Sequence, residues 1–251
     1  MDIRHIYATD PDRPVLVMIP GFLTQPLAPG VVIDRSWDNS VAALCRDYNL
    51  NGCVMRWDSG NVLSFDLKLR SISSLKSIES ALFAWQRARA RADAVCVEMA
   101  NYLQSLDSPI YVVGHSLGGH IALRVAQTVP AHKVLALAPA VDIHSVDYSR
   151  IAELTNEKPT VFYSARDRVL STLFTCGQSP AKLINALQGA RINPAQALRN
   201  VASIIESRAT SPALGLVGVP PAHTHTFRSI KTQHRHAEYA NHLGALWRSI
   251  S

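Results

Sequence analysis

Ile110-Tyr111-Val112-Val113-Gly114-His115-Ser116-Leu117-Gly118-Gly119-His120-Ile121-Ala122 changes character twice along its length. The first four residues are apolar and mostly β-branched, the composition of a strand buried on both faces. Gly114-His115-Ser116-Leu117-Gly118 then reads G-x-S-x-G, and Ile121, Ala122, Val125, Ala126 and Val129 recur at helical spacing. Strand, tight turn and helix, in that order, is the setting in which the pattern describes a nucleophile elbow. A serine on such a turn is held in a strained conformation. Its neighbours are glycines because a side chain there would strike the next strand and helix. The helix N-terminus lies beneath the serine, where its N–H groups and dipole favour a developing oxyanion. Ser116 is therefore the candidate nucleophile, and the Leu117 N–H a candidate oxyanion donor.

Upstream, residues 3–7 read as a short strand ahead of the turn Asp10-Pro11-Asp12. Residues 14–19 follow as a buried strand, closed by Pro20-Gly21-Phe22-Leu23-Thr24-Gln25. A strand running into a glycine turn is a place for the second oxyanion donor, and the Phe22 N–H is the candidate. The competing reading is an ordinary strand-to-loop turn. Residues 36–48 put Trp37, Val41, Leu44, Cys45 and Tyr48 on one helical face, and the strand 53–57 stops at Asp58-Ser59-Gly60. The helical pattern over 62–106 is longer than a strand crossover needs. Its first part, with Val62, Leu63, Phe65, Leu67, Leu69, Ile72 and Leu75, is too apolar for a solvated loop and reads as a cap over the site. Residues 81–106 form the helix that returns to the central strand. There Arg87, Arg89 and Arg91 alternate with alanine and fan around the surface, a solvated basic face in preference to a membrane or lipid-phosphate contact.

Downstream, residues 132–139 and 159–164 predict two further strands, the second ending at Ala165-Arg166-Asp167-Arg168-Val169-Leu170. Residues 171–209 are helical in pattern, with Asn193-Pro194 as a helix start. A weaker strand lies between Ala213 and Ile230, and residues 237–250 form a final helix burying Tyr239, Leu243, Leu246 and Ile250. Strands alternating with helices predict an α/β fold, a mainly parallel central sheet flanked by helices. The expected organisation is a single domain over residues 1–251, with 62–80 and 171–209 as helical, cap-like segments.

A serine hydroxyl needs a base, and the base an orienting acid. In this arrangement the chain order is serine, acid, histidine, each beyond the carboxyl end of a strand. Asp167 meets that requirement, two strands after Ser116. Asp142 is the competitor one strand earlier, and the bland reading of Asp167 is a turn aspartate capping the next helix. Of His223, His225, His234, His236 and His242, the loop before the final helix favours His234 and His236. His115 and His120 adjoin the serine, but the elbow turns both away from its proton. The two H-x-H pairs raise a metal reading, yet no carboxylates or cysteines accompany them at ligand spacing, so no metal and no cofactor is expected.

At 251 residues one domain with a substantial core is the default. Cys45, Cys53, Cys96 and Cys176 form no C-x-x-C pair, which predicts free thiols in a reducing compartment. No basic segment leading into an apolar run opens the chain and no stretch approaches membrane-spanning length, so a cytoplasmic location is expected. The net charge of +6 permits attraction to acidic surfaces, peripheral membrane contact included, but no nucleic-acid motif accompanies it.

The chain resembles the α/β-hydrolase superfamily, and within it the lipase-like family of the transmembrane and coiled-coil domain protein 4. The resemblance runs from Val15 to Trp247 and rests on Gly21-Phe22-Leu23-Thr24-Gln25, Gly114–Gly119, Ser164–Leu170 and His236-Ala237-Glu238-Tyr239. It implies a Ser116-Asp167-His236 triad, with His236 placed by Tyr239. Pro20 stands where many such enzymes have histidine, and a proline nitrogen donates no hydrogen bond, so the oxyanion loop must be held in another way. The expected activity is cleavage of carboxylic esters, lipid-like ones included, through an acyl-enzyme. An acyltransferase or thioesterase uses the same parts, and a non-catalytic binding module uses the same fold.

Overall fold

In the computed structural model, which describes residues 1–21, 36–57, 75–174, 203 and 211–251, the apolar runs pair into one seven-stranded sheet. Its strands are β1 (Asp2–Tyr7), β2 (Val15–Ile19), β3 (Asn51–Arg56), β4 (Ile110–His115), β5 (Lys133–Leu137), β6 (Thr160–Tyr163) and β7 (Arg228–Lys231). They lie in the order β1-β3-β2-β4-β5-β6-β7, with β1 antiparallel to β3 and every other neighbouring pair parallel. From β2 the chain steps to β3 on one side and later enters β4 on the other. The direction of winding therefore reverses between β2 and β4, where open α/β sheets place their ligand sites beyond the carboxyl ends. Gly21 and Ser116 lie just past those two ends.

The helices bury stripes that their spacing dictates. In α1 (Ser36–Tyr48) these are Trp37, Val41, Leu44 and Cys45. In α2 (Leu75–Gln104) Trp85, Ala88, Ala92, Val95, Met99 and Leu103 recur every three or four residues, facing α3 (Leu117–Val125). Tyr239, Leu243, Leu246 and Trp247 of the final helix, Tyr239–Arg248, pack toward α1, whose Ser40 hydroxyl donates to the Ala240 carbonyl at 2.7 Å. Asp38 is buried in α1 and accepts from Arg4 of β1 at 3.0 Å and Arg56 of β3 at 3.1 Å, so its charge is paired where it is desolvated. Arg87 and Arg91 are exposed on α2, while the Arg89 guanidinium lies over the Phe174 ring at 5.9 Å.

Two expectations are refined. The weaker strand expected between Ala213 and Ile230 is β7, at the end of that stretch and reaching Lys231, after α5 (Leu214–Val217) and a turn at Pro221–His223; α4 (Tyr148–Leu154) lies earlier in the chain. Pro220 and Pro221 offer no ladder donors, and Gly218 takes φ 77°, which ends extended pairing there. The elbow helix ends at Val125 and runs on as turns to Val129, whose N–H still donates to the Val125 carbonyl at 3.0 Å; the restriction on a residue before proline falls on Val129 itself. The helix α4 was not anticipated, although Asp147 caps it by accepting the Arg150 N–H at 2.9 Å. Most of 62–80 and 171–209, with Asn193-Pro194 and Cys176, lies outside the described residues; residues 75–80 open α2. Among the described residues no helix is long and apolar enough to cross a membrane, and Cys45, Cys53 and Cys96 are free thiols.

Candidate active site

Ser116 caps α3 with φ 56° and ψ −121°, a region that costs a side-chain-bearing residue about 1–3 kcal/mol. Backbone hydrogen bonds hold it there. Its N–H donates to the Leu137 carbonyl at 3.0 Å, and its carbonyl accepts from Ala140 at 2.9 Å and His120 at 3.2 Å. Glycines allow the close approach. A Cβ on Gly118 would fall 1.9 Å from the Ile19 carbonyl oxygen, and one on Gly21 would fall 2.6 Å from the Ser116 Cβ. The end of β2 and the serine turn are thus in direct contact. The Trp57 indole N–H donates to the Pro20 carbonyl at 2.9 Å, so this turn is held through its oxygen where it has no nitrogen-bound hydrogen. Phe22 lies outside the described residues.

Asp167 is buried on the turn after β6, and its two oxygens have different tasks. Oδ1 accepts the Leu170 N–H at 3.0 Å, capping the helical turn that follows, and Oδ2 meets His236 Nδ1 at 2.6 Å. Helix cap and histidine partner are therefore the same residue. His236 opens the turn His236–Glu238 that leads into α6 (Tyr239–Arg248), and Glu238 accepts the Arg235 N–H at 2.7 Å. Tyr239 is fully buried and shares a hydrogen bond of 2.9 Å with the Thr232 hydroxyl; burial pushes its phenol up to about 12. Between the turns of Asp167 and His236 opens a cavity of about 1130 Å³, lined by Arg166, Arg168, Val169 and Ser171 on one side and Gln233, Arg235, Ala237 and Glu238 on the other.

Four other candidate histidines and Asp142 are engaged elsewhere. His234 stacks on His242 at 4.1 Å and meets Tyr239 edge-on at 5.7 Å, and burial, helped by His242, holds its pKa below the ordinary value. Asp142 caps the turn Ile143–Ser145, accepting the His144 N–H at 2.8 Å and the Ser211 hydroxyl. His223 stacks on Tyr148 at 4.4 Å, and His120 Nε2 meets Asp93 of α2 at 2.7 Å. Among the described residues no three His, Cys, Asp or Glu side chains are grouped to hold a metal ion.

The structure brings Asp167 and His236 together. It does not join Ser116 to them, because the buried Oγ makes no hydrogen bond among the described residues. One neighbour has no role that the sequence alone gave it. His115 is buried, its Nε2–H donates to the His236 carbonyl at 2.9 Å, and its ring lies 4.7 Å from that of His236. Burial, and then the nearby His236, hold its pKa well below that of an ordinary histidine. Its one sequence signal is its place as the last residue of the central strand.

A family model described as the alpha/beta hydrolase family matches residues 16–223. The chain is a member of the alpha/beta hydrolase family. A search of curated proteins gave no match. Among solved structures, this hydrolase-family chain is similar at 16% identity and a TM-score of 0.45 to LpqC, a poly(3-hydroxybutyrate) depolymerase from Bordetella parapertussis, over 96% of this chain and 82% of that one. It is similar to esterase PE8 at 14% identity and a TM-score of 0.42, covering 96% of this chain and 94% of the other. A lipase-esterase related protein from Clostridium acetobutylicum ATCC 824 matches at 10% identity and a TM-score of 0.44, over 100% of this chain and 99% of its own. These likenesses are distant, and membership rests on the matched residues and the sheet.

Proposed function

We propose that this alpha/beta hydrolase is a serine hydrolase that cleaves carboxylic esters through an acyl-enzyme. Ser116 Oγ attacks the carbonyl carbon while His236 Nε2 takes its proton. The same proton passes to the leaving oxygen as the C–O bond breaks, freeing the alcohol. Water then attacks the acyl carbon, giving its proton to His236, which returns it to Ser116 Oγ as the acyl C–Oγ bond breaks and the carboxylic acid leaves. Asp167 accepts the Nδ1–H throughout, fixing the tautomer and favouring the imidazolium. Leu117 is the first residue of α3, and its N–H has no acceptor within the helix, so it serves the oxyanion together with the N–H of Phe22.

The observation that carries the reading is the 2.6 Å contact between a buried Asp167 and His236 Nδ1, made at the same sheet edge as a serine held at φ 56°. The substrates are small-molecule or lipid-like esters, and the setting is cytoplasmic. No cofactor enters the scheme. The narrower likeness to the lipase-like family of the transmembrane and coiled-coil domain protein 4 rests on the four sequence segments alone. The test is labelling by a fluorophosphonate. The wild-type protein is expected to take the label and Ser116→Ala to refuse it. A labelled Ser116→Ala moves the nucleophile elsewhere, and an unlabelled wild type turns the reading to a binding module.

A further inference from the structure

We propose that His115 is a positioning residue for His236, a neutral imidazole protonated on Nε2 that fixes the base through its main chain. The inference rests on the proposed role of His236 and adds a residue to it. The hydrogen bond sets the tautomer, because the His236 carbonyl only accepts and the proton of the 2.9 Å contact must sit on His115 Nε2. Nδ1 then carries the lone pair. That atom is buried with no hydrogen-bond partner among the described residues, so a second proton there would be an unsatisfied buried charge.

The two imidazoles, 4.7 Å apart, are thus unequal. Only His236 has a carboxylate, Asp167 at 2.6 Å, to balance a positive charge, so the proton taken from serine stays on the ring that must return it. His115 is itself held from two further elements. Trp37 of α1 lies 5.2 Å from its ring and Tyr239 of α6 lies 5.7 Å away. As the residue before Ser116 in the chain, it ties the nucleophile turn to the backbone of the base. Small shifts of a catalytic ring lower the rate of the chemical step more than they weaken binding.

The first measurement uses the wild-type protein with ¹⁵N-labelled histidines. Long-range ¹H–¹⁵N spectra at pH 7 are expected to show His115 neutral with its proton on Nε2, whether or not any ester is cleaved. A proton on Nδ1, or a charged ring, overturns the proposal. The second compares His115→Phe, which keeps a ring but loses the donor, with His115→Gln, which keeps an N–H. On 4-nitrophenyl acetate, His115→Phe is expected to lose about tenfold to a hundredfold in kcat with KM within about twofold. The low-field proton signal of the Asp167–His236 hydrogen bond should weaken with it, and His115→Gln should restore both in part. Unchanged kcat and proton signal in His115→Phe, or equal kcat losses in both variants with that signal intact, reduce His115 to packing. If His115→Phe does not fold, the wild-type tautomer and His115→Gln decide. Absence of any wild-type esterase activity defeats the function proposed above, and the tautomer still decides this one.

Discussion

At the carboxyl edge of the sheet, Ser116 is placed by main chain and by the absence of side chains. Its strained turn is clamped by carbonyls and N–H groups, with Gly118 against Ile19 and Gly21 against the serine itself. Asp167 and His236, at the same edge, are placed by side chains that reach across the fold, the carboxylate to the imidazole and His115 to the His236 carbonyl, with the local bond of Tyr239 to Thr232 beside them. The first region has its signal within a few residues of sequence, is clamped by the backbone beyond β2 and β5, and tolerates almost no added volume. The second joins segments far apart in the chain and depends on polar groups being satisfied in a dry environment. Reactivity here would depend on a stiff turn and a polar network keeping register with each other.

Breaking the stiff side at its reactive atom has the largest expected effect. Ser116→Ala should retain the wild-type melting profile and lose activity on an activated ester by a factor on the order of 10⁶. Wild-type-like turnover would remove the nucleophile from this turn. On the network side, Asp167→Asn should cost on the order of 10⁴-fold, since an amide neither fixes the tautomer nor stabilises the imidazolium. Asp142→Asn should change kcat by less than about threefold, because Asp142 is occupied as a cap. Reversal of that ranking places the acid on the earlier strand. His236→Ala should abolish turnover while His234→Ala, removing a ring stacked on His242, should leave most of it. Activity kept by the first and lost by the second would exchange their roles. The smallest effect sharpens the comparison where the two sides meet: Trp57→Phe strips the donor from the Pro20 carbonyl and should destabilise the fold by about 1–3 kcal/mol. An unchanged melting temperature would show that the turn before Phe22 does not depend on that bond.

The elbow is legible in the sequence because its causes are local. Strand composition, glycine spacing and helical periodicity all fall between Ile110 and Val125. The parallel sheet is legible for the same reason, strand by strand, except where Pro220 and Pro221 interrupt a run that otherwise reads as extended. Asp167 presents both of its readings, cap and partner, and the structure realises both because a carboxylate has two oxygens. Local alternation does not separate His234 from His236; their surroundings differ only once α6 brings Tyr239 and His242 into place. His115 and Trp57 are invisible as functional neighbours, since the contacts that give them a role come from the other end of the chain or from a neighbouring strand's loop.

Ser116 and Asp167 stand on opposite sides of the balance between activity and robustness. The serine holds its turn against a backbone preference, so a population selected only for heat resistance would feel steady pressure against a side chain there. The aspartate also caps a helical turn, so the same selection would keep its carboxylate with no ester present. Drift without substrate would therefore erode this site unevenly, removing the proposed nucleophile first and leaving the proposed acid behind as an ordinary structural residue.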